Sequence, residues 1–275
     1  MKEWIIKNPL LITENIENWN NLLKVCKYFL YEHQPISNLY IRELQIEIHT
    51  KFIEGDKKNK SNKAIISSIL NAILPEAKIN NEYTGIKNNN FEKRFYLNYD
   101  KTLIRFRILD KNLYLNNISD LSIQAVEFFK LDLKCERVFI VENLMNLLCF
   151  PKTENSIVIW GKGNRASIIK SAQWLSEKEI FYWGDIDTWG FHILSSLREH
   201  FADVKSILMS RNIFEKYKQF AVKEDKPNKK LPKNLTGEEE KLFEYLLSLS
   251  KDRNRLEQEH INQKEIIEMI QQIEK

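Results

Sequence analysis

A chain of 275 residues has room for one large domain or two ordinary ones with ample core. Its 43% hydrophobic and 29% charged residues exclude a disordered or fibrous chain, and a formal net charge of +4 suits a polyanion partner without requiring one. No apolar run reaches membrane-spanning length and MKEWIIKNPL lacks the apolar core of a signal peptide. Cys26, Cys135 and Cys149 are widely spaced among apolar neighbours, so buried, reduced thiols in a cytoplasmic protein are expected.

In chain order, residues 14–33 place Ile16, Trp19, Leu22, Leu23, Cys26, Phe29 and Leu30 at helical spacing, and Pro35 ends that helix. SNLYIREL reads as a short helix with Ser37 as N-cap. After a lysine-rich run, KAIISSILNAIL forms a second helix that stops at Pro75. FEKRFYLNYDKTLIRFRIL carries two alternating runs around Asn98 to Lys101, the pattern of a β-hairpin. Helices followed by a hairpin bearing Arg94, Lys101, Arg105 and Arg107 suggest a winged-helix-like α+β cap domain that lays basic residues on DNA. An ordinary hairpin with a solvated basic face explains them equally well. Residues 108–118 are a polar connection. Ser119 and Asp120 then open an amphipathic helix through Phe129, which puts the domain boundary at 118/119.

The second domain, 119–275, reads as α/β. VFIVEN, SIVIWGKG, IFYWGDID and DVKSIL are short apolar runs separated by helical patterns, as in a Rossmann-like, mostly parallel sheet. Chemistry in such sheets gathers at the carboxyl ends of the strands, where Glu142, Asp185 and Asp187 fall. Three converging carboxylates repel one another unless a cation joins them, and hard oxygen donors suit Mg²⁺ or Mn²⁺. Asn143 is placed to orient a ligand or to cap the helix NLMNLLCF, and Asp187 to cap TWGFHILSSLREH. Gly161 and Gly163 bracket a turn before a helix, where backbone N–H groups, Lys162 and Arg165 can meet a phosphate. The Walker A spacing is absent. His192 is a minor candidate. Thr236 and Glu239 form a capping box. In RNRLEQEHI, Glu257 and Glu259 can complete a metal site or pair with Arg255, and from the residues alone the ion pair is the better reading.

A Glu after one strand, a glycine turn after the next and Asp-x-Asp after a third is similar to the Toprim pattern. SNLYIREL with HTKFIE, RFRILD, DLSIQAVEFF, RVFIVEN, YWGDIDTWGFHILSSLR and RLEQE, spread over roughly 9–262, resemble the JetD family, nuclease subunits of Wadjet anti-plasmid defence systems. The resemblance implies a topoisomerase VI A-subunit-like layout and a homodimer on double-stranded DNA. It also implies Mg²⁺- or Mn²⁺-dependent hydrolysis, with two metals, of closed circular plasmids delivered by an SMC–kleisin-type complex. By that resemblance Glu142, Asp185 and Asp187 are the catalytic and metal-binding set and Glu257 and Glu259 become site neighbours; Asn143 and Arg255, by their positions beside these residues, are expected to support them. Members usually carry a further N-terminal arm domain, for which this length leaves no room. Tyr40 is the tyrosine a topoisomerase-like transesterase would need, and a non-catalytic DNA-binding subunit is the other alternative. DIDTW also fits haloacid-dehalogenase-type phosphatases, but those place the motif on the first strand of their domain.

Overall fold

The computed structural model describes residues 1–275 except 50, 58, 59, 162, 163, 202 and 250–252, and leaves the side chains of 164 and 165 undescribed. The chain divides into two units, Met1–Asp100 and Lys101–Lys275.

Among its described residues the first unit is helical. Its helices are α1 Lys2–Lys7, α2 Pro9–Glu14, α3 Trp19–Tyr31, α4 Lys51–Glu54, α5 Lys63–Ile73 and α6 Asn90–Arg94. Helices α3 and α5 take the two strongest periodic stretches and pack on each other through Leu22, Val25, Phe29, Ile66, Ile69 and Leu70, all fully buried. Pro75 follows α5, as expected. Ser37 is not a cap: it ends a 3-10 turn, Pro35–Ser37, and the next turn, Ile41–Glu43, is capped at Tyr40, whose N–H donates to Glu43.

The expected hairpin does not form. Phe91 to Arg94 belong to α6, and Leu103–Ile108 is instead strand β1 of the second unit. The alternation was real, but its partners lie downstream and not upstream: β2 (Asp120–Gln124), the next strand, and the more distant β4 (Ser156–Trp160) flank β1 on either side, both antiparallel to it. Residues 119–129 are therefore not one helix. Leu121 and Ile123 alternate along β2, and only Ala125–Phe128 turn into helix α7. With both strands in the sheet, the division falls at 100/101 and not at 118/119.

Strands β3 (Arg137–Val141), β5 (Glu179–Trp183) and β6 (Lys205–Ser206) complete a six-stranded sheet in the order β2-β1-β4-β3-β5-β6, in which β4, β3, β5 and β6 run parallel. Val138–Val141, Ile157–Ile159 and Ile180–Trp183 are buried on both faces, which is why these runs are continuously apolar. Helix α8 (Leu144–Cys149) joins β3 to β4 in one direction. Helices α9 (Asn164–Ile169) and α10 (Thr188–Arg198) lead back the other way to β5 and β6, so right-handed crossovers put α9 and α10 together on the opposite face from α8. Helix α11 (Arg211–Tyr217) follows β6, α12 (Gly237–Ser248) packs on α10, and α13 (Gln263–Ile273) buries Ile266 and Ile270. The α12 capping box forms as expected, and its Glu239 also pairs with Arg198 at 2.6 Å. This is the Rossmann-like α/β layout expected of a Toprim domain. Cys26 and Cys135 are buried free thiols, whereas Cys149, at the end of α8, is exposed: the apolar run carrying it turns that position outward.

Candidate active site at the switch point of the sheet

The strand order reverses between β3 and β5, so a crevice opens at their carboxyl ends. Glu142 directly follows β3, and Asp185 and Asp187 follow β5. The three residues share one rim because β3 and β5 are in register from Arg137↔Glu179 to Val141↔Trp183.

The glycine after β5 is required by close approach. A Cβ on Gly184 would lie 2.3 Å from the Tyr182 hydroxyl and 2.5 Å from Glu142 Oε1, so any side chain there would push the carboxylate away. Gly190 is held the same way, since a Cβ would lie 2.1 Å from the Asp185 carbonyl.

Glu142 accepts a hydrogen bond from the Tyr182 hydroxyl. Burial pushes Glu142 up to about 7; the Tyr182 hydrogen bond works against the rise and the charge of Asp185 adds to it. Asp187 is almost fully buried and, as the alternative reading held, caps α10: its Oδ1 accepts from Gly190 N–H at 2.7 Å. Burial pushes it also to about 7, against the Gly190 hydrogen bond and with the charges of Asp185, Glu224 and Glu142 behind it. Tyr182 is driven above its ordinary range by burial and by Glu142.

The RLEQE segment closes the site. Leu256 pairs with Ile186 and Arg255 with Val222 as isolated β-bridges, which runs this segment beside the Asp-x-Asp turn. Arg255 Nη2 lies 3.0 Å from Asp185 Oδ2 and 3.1 Å from Glu257 Oε1, and its Nε lies 3.2 Å from Asp187 Oδ2. Burial disfavours the charge of Arg255, but the hydrogen bond to Asp185 and the surrounding carboxylates outweigh it and raise its pKa. Glu257 thus forms the expected ion pair with Arg255, whose guanidinium also faces Asp185 and Asp187. Glu259 takes a different direction and accepts from Asn143 Nδ2 at 2.7 Å, so the two glutamates do not share one face. Asn143 caps α8 through Oδ1, which accepts from Met145 N–H and Asn146 N–H.

Gln258 is the residue that sequence reasoning missed. It is fully buried, and its N–H donates to Asp185 Oδ1 at 3.0 Å while its Nε2 donates to the Trp183 carbonyl at 3.1 Å. Its Oε1 accepts from Asn143 N–H at 3.1 Å and from Asn146 Nδ2 at 2.8 Å. One side chain thus ties together the ends of β3 and β5 and the start of α8. Tyr182, read only as part of the apolar run IFYWGDID, and the buried Glu224, which accepts from Thr188 Oγ1 at 2.6 Å and stood in no motif, were also missed.

The basic candidates are mostly used inside the fold. Arg94 is bound to Asn71, Asn81 and the carbonyls of Asn80 and Tyr83. Arg105 forms a two-pronged pair with Asp120, and Arg107 donates to the carbonyls of Leu147 and Leu148 at the end of α8. Lys101 begins the second unit and also has a partner. Gly161 continues the strand, its N–H donating to the Val141 carbonyl, and a Cβ there would lie 2.7 Å from Ile140 Cγ2. Lys162, Gly163 and the Arg165 side chain lie outside the described residues. A different basic surface stands beside α9 and α10: a cavity of about 480 Å³ lined by Lys170, Lys230, Lys233, Glu199, His192 and the half-exposed Trp189. His192 belongs to this cavity and not to the carboxylate rim.

As they stand, no three Asp, Glu, His or Cys side chains among the described residues converge into a metal cage. The donor set still fits a divalent cation. Hard oxygens meet at one rim, and the repulsion that helps lift Glu142 and Asp187 to about 7 is what such a charge relieves.

The sheet and its rim define an α/β protein with a carboxylate cluster at the topological switch point. The chain belongs to the JetD family: the family profile "Wadjet protein JetD, C-terminal" matches residues 97–270. Residues 1–61 match a second profile, "Uncharacterized protein conserved in bacteria N-term". No curated protein matches the chain. No helix among the described residues is long and apolar enough to cross a membrane.

Proposed function

We propose that this protein is the DNA-cleaving component of a Wadjet-type defence system, a cytoplasmic Mg²⁺- or Mn²⁺-dependent endonuclease that hydrolyses phosphodiester bonds of closed circular double-stranded DNA. One observation carries the reading. Glu142 follows β3 and Asp185 and Asp187 follow β5, on one rim at the switch point of the sheet, and burial with mutual repulsion pushes Glu142 and Asp187 up to about 7. Such a cluster is costly for a fold and useful to an enzyme.

Asp185 and Asp187 would hold the metal, with Glu142 and Glu257 beside them. A bound divalent cation supplies charge neutralisation at the phosphate and a water of lowered pKa. The protein's own groups then have distinct tasks. The Glu142 carboxylate can accept a proton from the attacking water, and the Tyr182 hydroxyl fixes which way that carboxylate points. Gly190 N–H holds Asp187 and Gln258 N–H holds Asp185, so neither aspartate needs to reorganise during reaction. Lys170, Lys230 and Lys233 suit contacts with DNA phosphates, which position a duplex without reading its sequence. A second copy of the chain and an SMC–kleisin-type complex are the proposed partners, the latter delivering the circular substrate.

The test is cleavage of supercoiled and linear plasmid by the purified protein in Mn²⁺ or Mg²⁺, beside the Glu142→Ala variant, with and without the SMC-type partners. Metal-dependent cutting that EDTA and the variant both abolish supports hydrolysis. Cutting that survives EDTA and leaves protein covalently on DNA would replace this reading with tyrosine chemistry.

A further inference from the structure

The carboxylates of this rim already have a counter-charge, and it belongs to the chain itself. The backbone of Arg255 is fixed: its N–H donates to the Val222 carbonyl at 2.9 Å, its carbonyl accepts from Val222 N–H at 2.8 Å, and Leu256 is paired with Ile186 on the next residue. Its head group is held far less firmly. A single nitrogen, Nη2, is shared between Asp185 and Glu257, and Nε, although 3.2 Å from Asp187 Oδ2, is buried without a hydrogen bond.

Arg198 in the same unit shows what a structural arginine looks like here. Its Nη1 and Nη2 meet the two oxygens of Glu239 at 2.6 and 3.0 Å, Nη1 also donates to the Asn234 carbonyl, and Nε donates to the Val204 carbonyl, so all three nitrogens are bonded. Its side chain is 12% exposed, against 36% for Arg255. Arg255 therefore has a rigid attachment, an incompletely bonded head and a route to water. One positive charge faces Asp185, Asp187 and Glu257 together, in the space between groups that would hold a metal.

We propose that the Arg255 guanidinium is a displaceable resident counter-cation, which competes with a divalent cation for Asp185 and Glu257 and withdraws along its flexible stem when the ion binds. This inference rests on the metal reading above and adds to it a built-in threshold. The rim stays charge-compensated until the ion concentration is high enough to exchange the guanidinium. The rival role, in which Arg255 positions the carboxylates for the ion, predicts the opposite sign for the same substitution.

The experiment is calorimetric titration of MnCl₂ into the full chain and into Arg255→Gln and Arg255→Lys, with circular dichroism to verify folding. Competition predicts that Arg255→Gln binds Mn²⁺ about tenfold more tightly than the parent, the size of one charge-assisted hydrogen bond removed from the competitor. Arg255→Lys keeps the charge, and with it the compensation of the fold, but lacks the fork; it should bind about threefold more tightly. If Arg255→Gln does not fold, the lysine variant decides alone, since a positioning role makes it bind more weakly. Equal or weaker binding by the folded variants overturns the proposal and leaves the metal site intact. No Mn²⁺ binding by the parent or either variant overturns the metal reading and this inference together.

Discussion

Replacing Glu142 by glutamine should make the metal-free protein more stable at alkaline pH. Glu142 ionises at about 7 in the fold, against 4.5 for the unperturbed side chain. Because the folded value is the higher one, the stabilising contribution is complete below 4.5 and is lost as pH rises through 7. At 1.36 kcal/mol per pH unit, the difference amounts to about 3 kcal/mol of destabilisation at pH 8. Glutamine removes the charge and keeps an oxygen that accepts from the Tyr182 hydroxyl. It gives up an acceptor for the backbone N–H of Asp185, at a cost of about 1 kcal/mol. The net gain is about 2 kcal/mol, a rise of about 4–8 °C in melting temperature for a unit of this size. Differential scanning calorimetry in EDTA at pH 4.5, 6 and 8 reads it directly: the proteins should lie close at pH 4.5 and separate as pH rises. A Glu142→Gln protein less stable than its parent at pH 8 would refute the reasoning, because it would mean the fold stabilises that charge. The same variant should have lost DNA cleavage, so that stability rises as activity falls.

Gln258→Ala strips partners from the Trp183 carbonyl, Asn143 N–H and Asn146 Nδ2, and should cost about 3 kcal/mol or more in urea unfolding. Gly184→Ala forces a methyl group against the Tyr182 hydroxyl and Glu142, and should cost about 1–3 kcal/mol by calorimetry while reducing cleavage. The double change Lys230→Glu, Lys233→Glu leaves the carboxylate rim untouched. It should lower DNA affinity and flatten the log-affinity against log-salt slope by about 2, with an unchanged melting temperature. A slope that does not move would remove this cavity from the DNA path.

The parallel sheet could be read from the chain because β3, β4 and β5 are buried on both faces and so leave unbroken apolar runs. Its rim could be read because each carboxylate stands directly after such a run. The caps at Asn143, Asp187 and Thr236 were equally local: the side chain and the N–H it accepts from lie within three residues. What failed was pairing across distance. The alternation at Leu103–Ile108 announces a strand but not its partner, and the nearest candidate run, around residues 91–97, was helix α6 and its exit. Tyr182 was invisible because a tyrosine in an apolar strand reads as core; its hydroxyl gains meaning only once β3 lies alongside. Gln258 was seen as spacing between two glutamates, when it makes more bonds to the site than either. Arg255 exposed a false choice, since the guanidinium that pairs with Glu257 also faces Asp185 and Asp187.

Arg255 and Gln258 lie some seventy residues downstream of Asp185, yet they hold that carboxylate in place. At a synthesis rate of about 5–20 residues per second, the Asp-x-Asp turn precedes its partners by roughly 4–14 s. A nascent chain can thus pair β3 with β5 well before the closing segment exists, with Asp185 still unheld. For a protein proposed to cut DNA, that order of synthesis delays competence until the segment carrying Arg255 and Gln258 has been made.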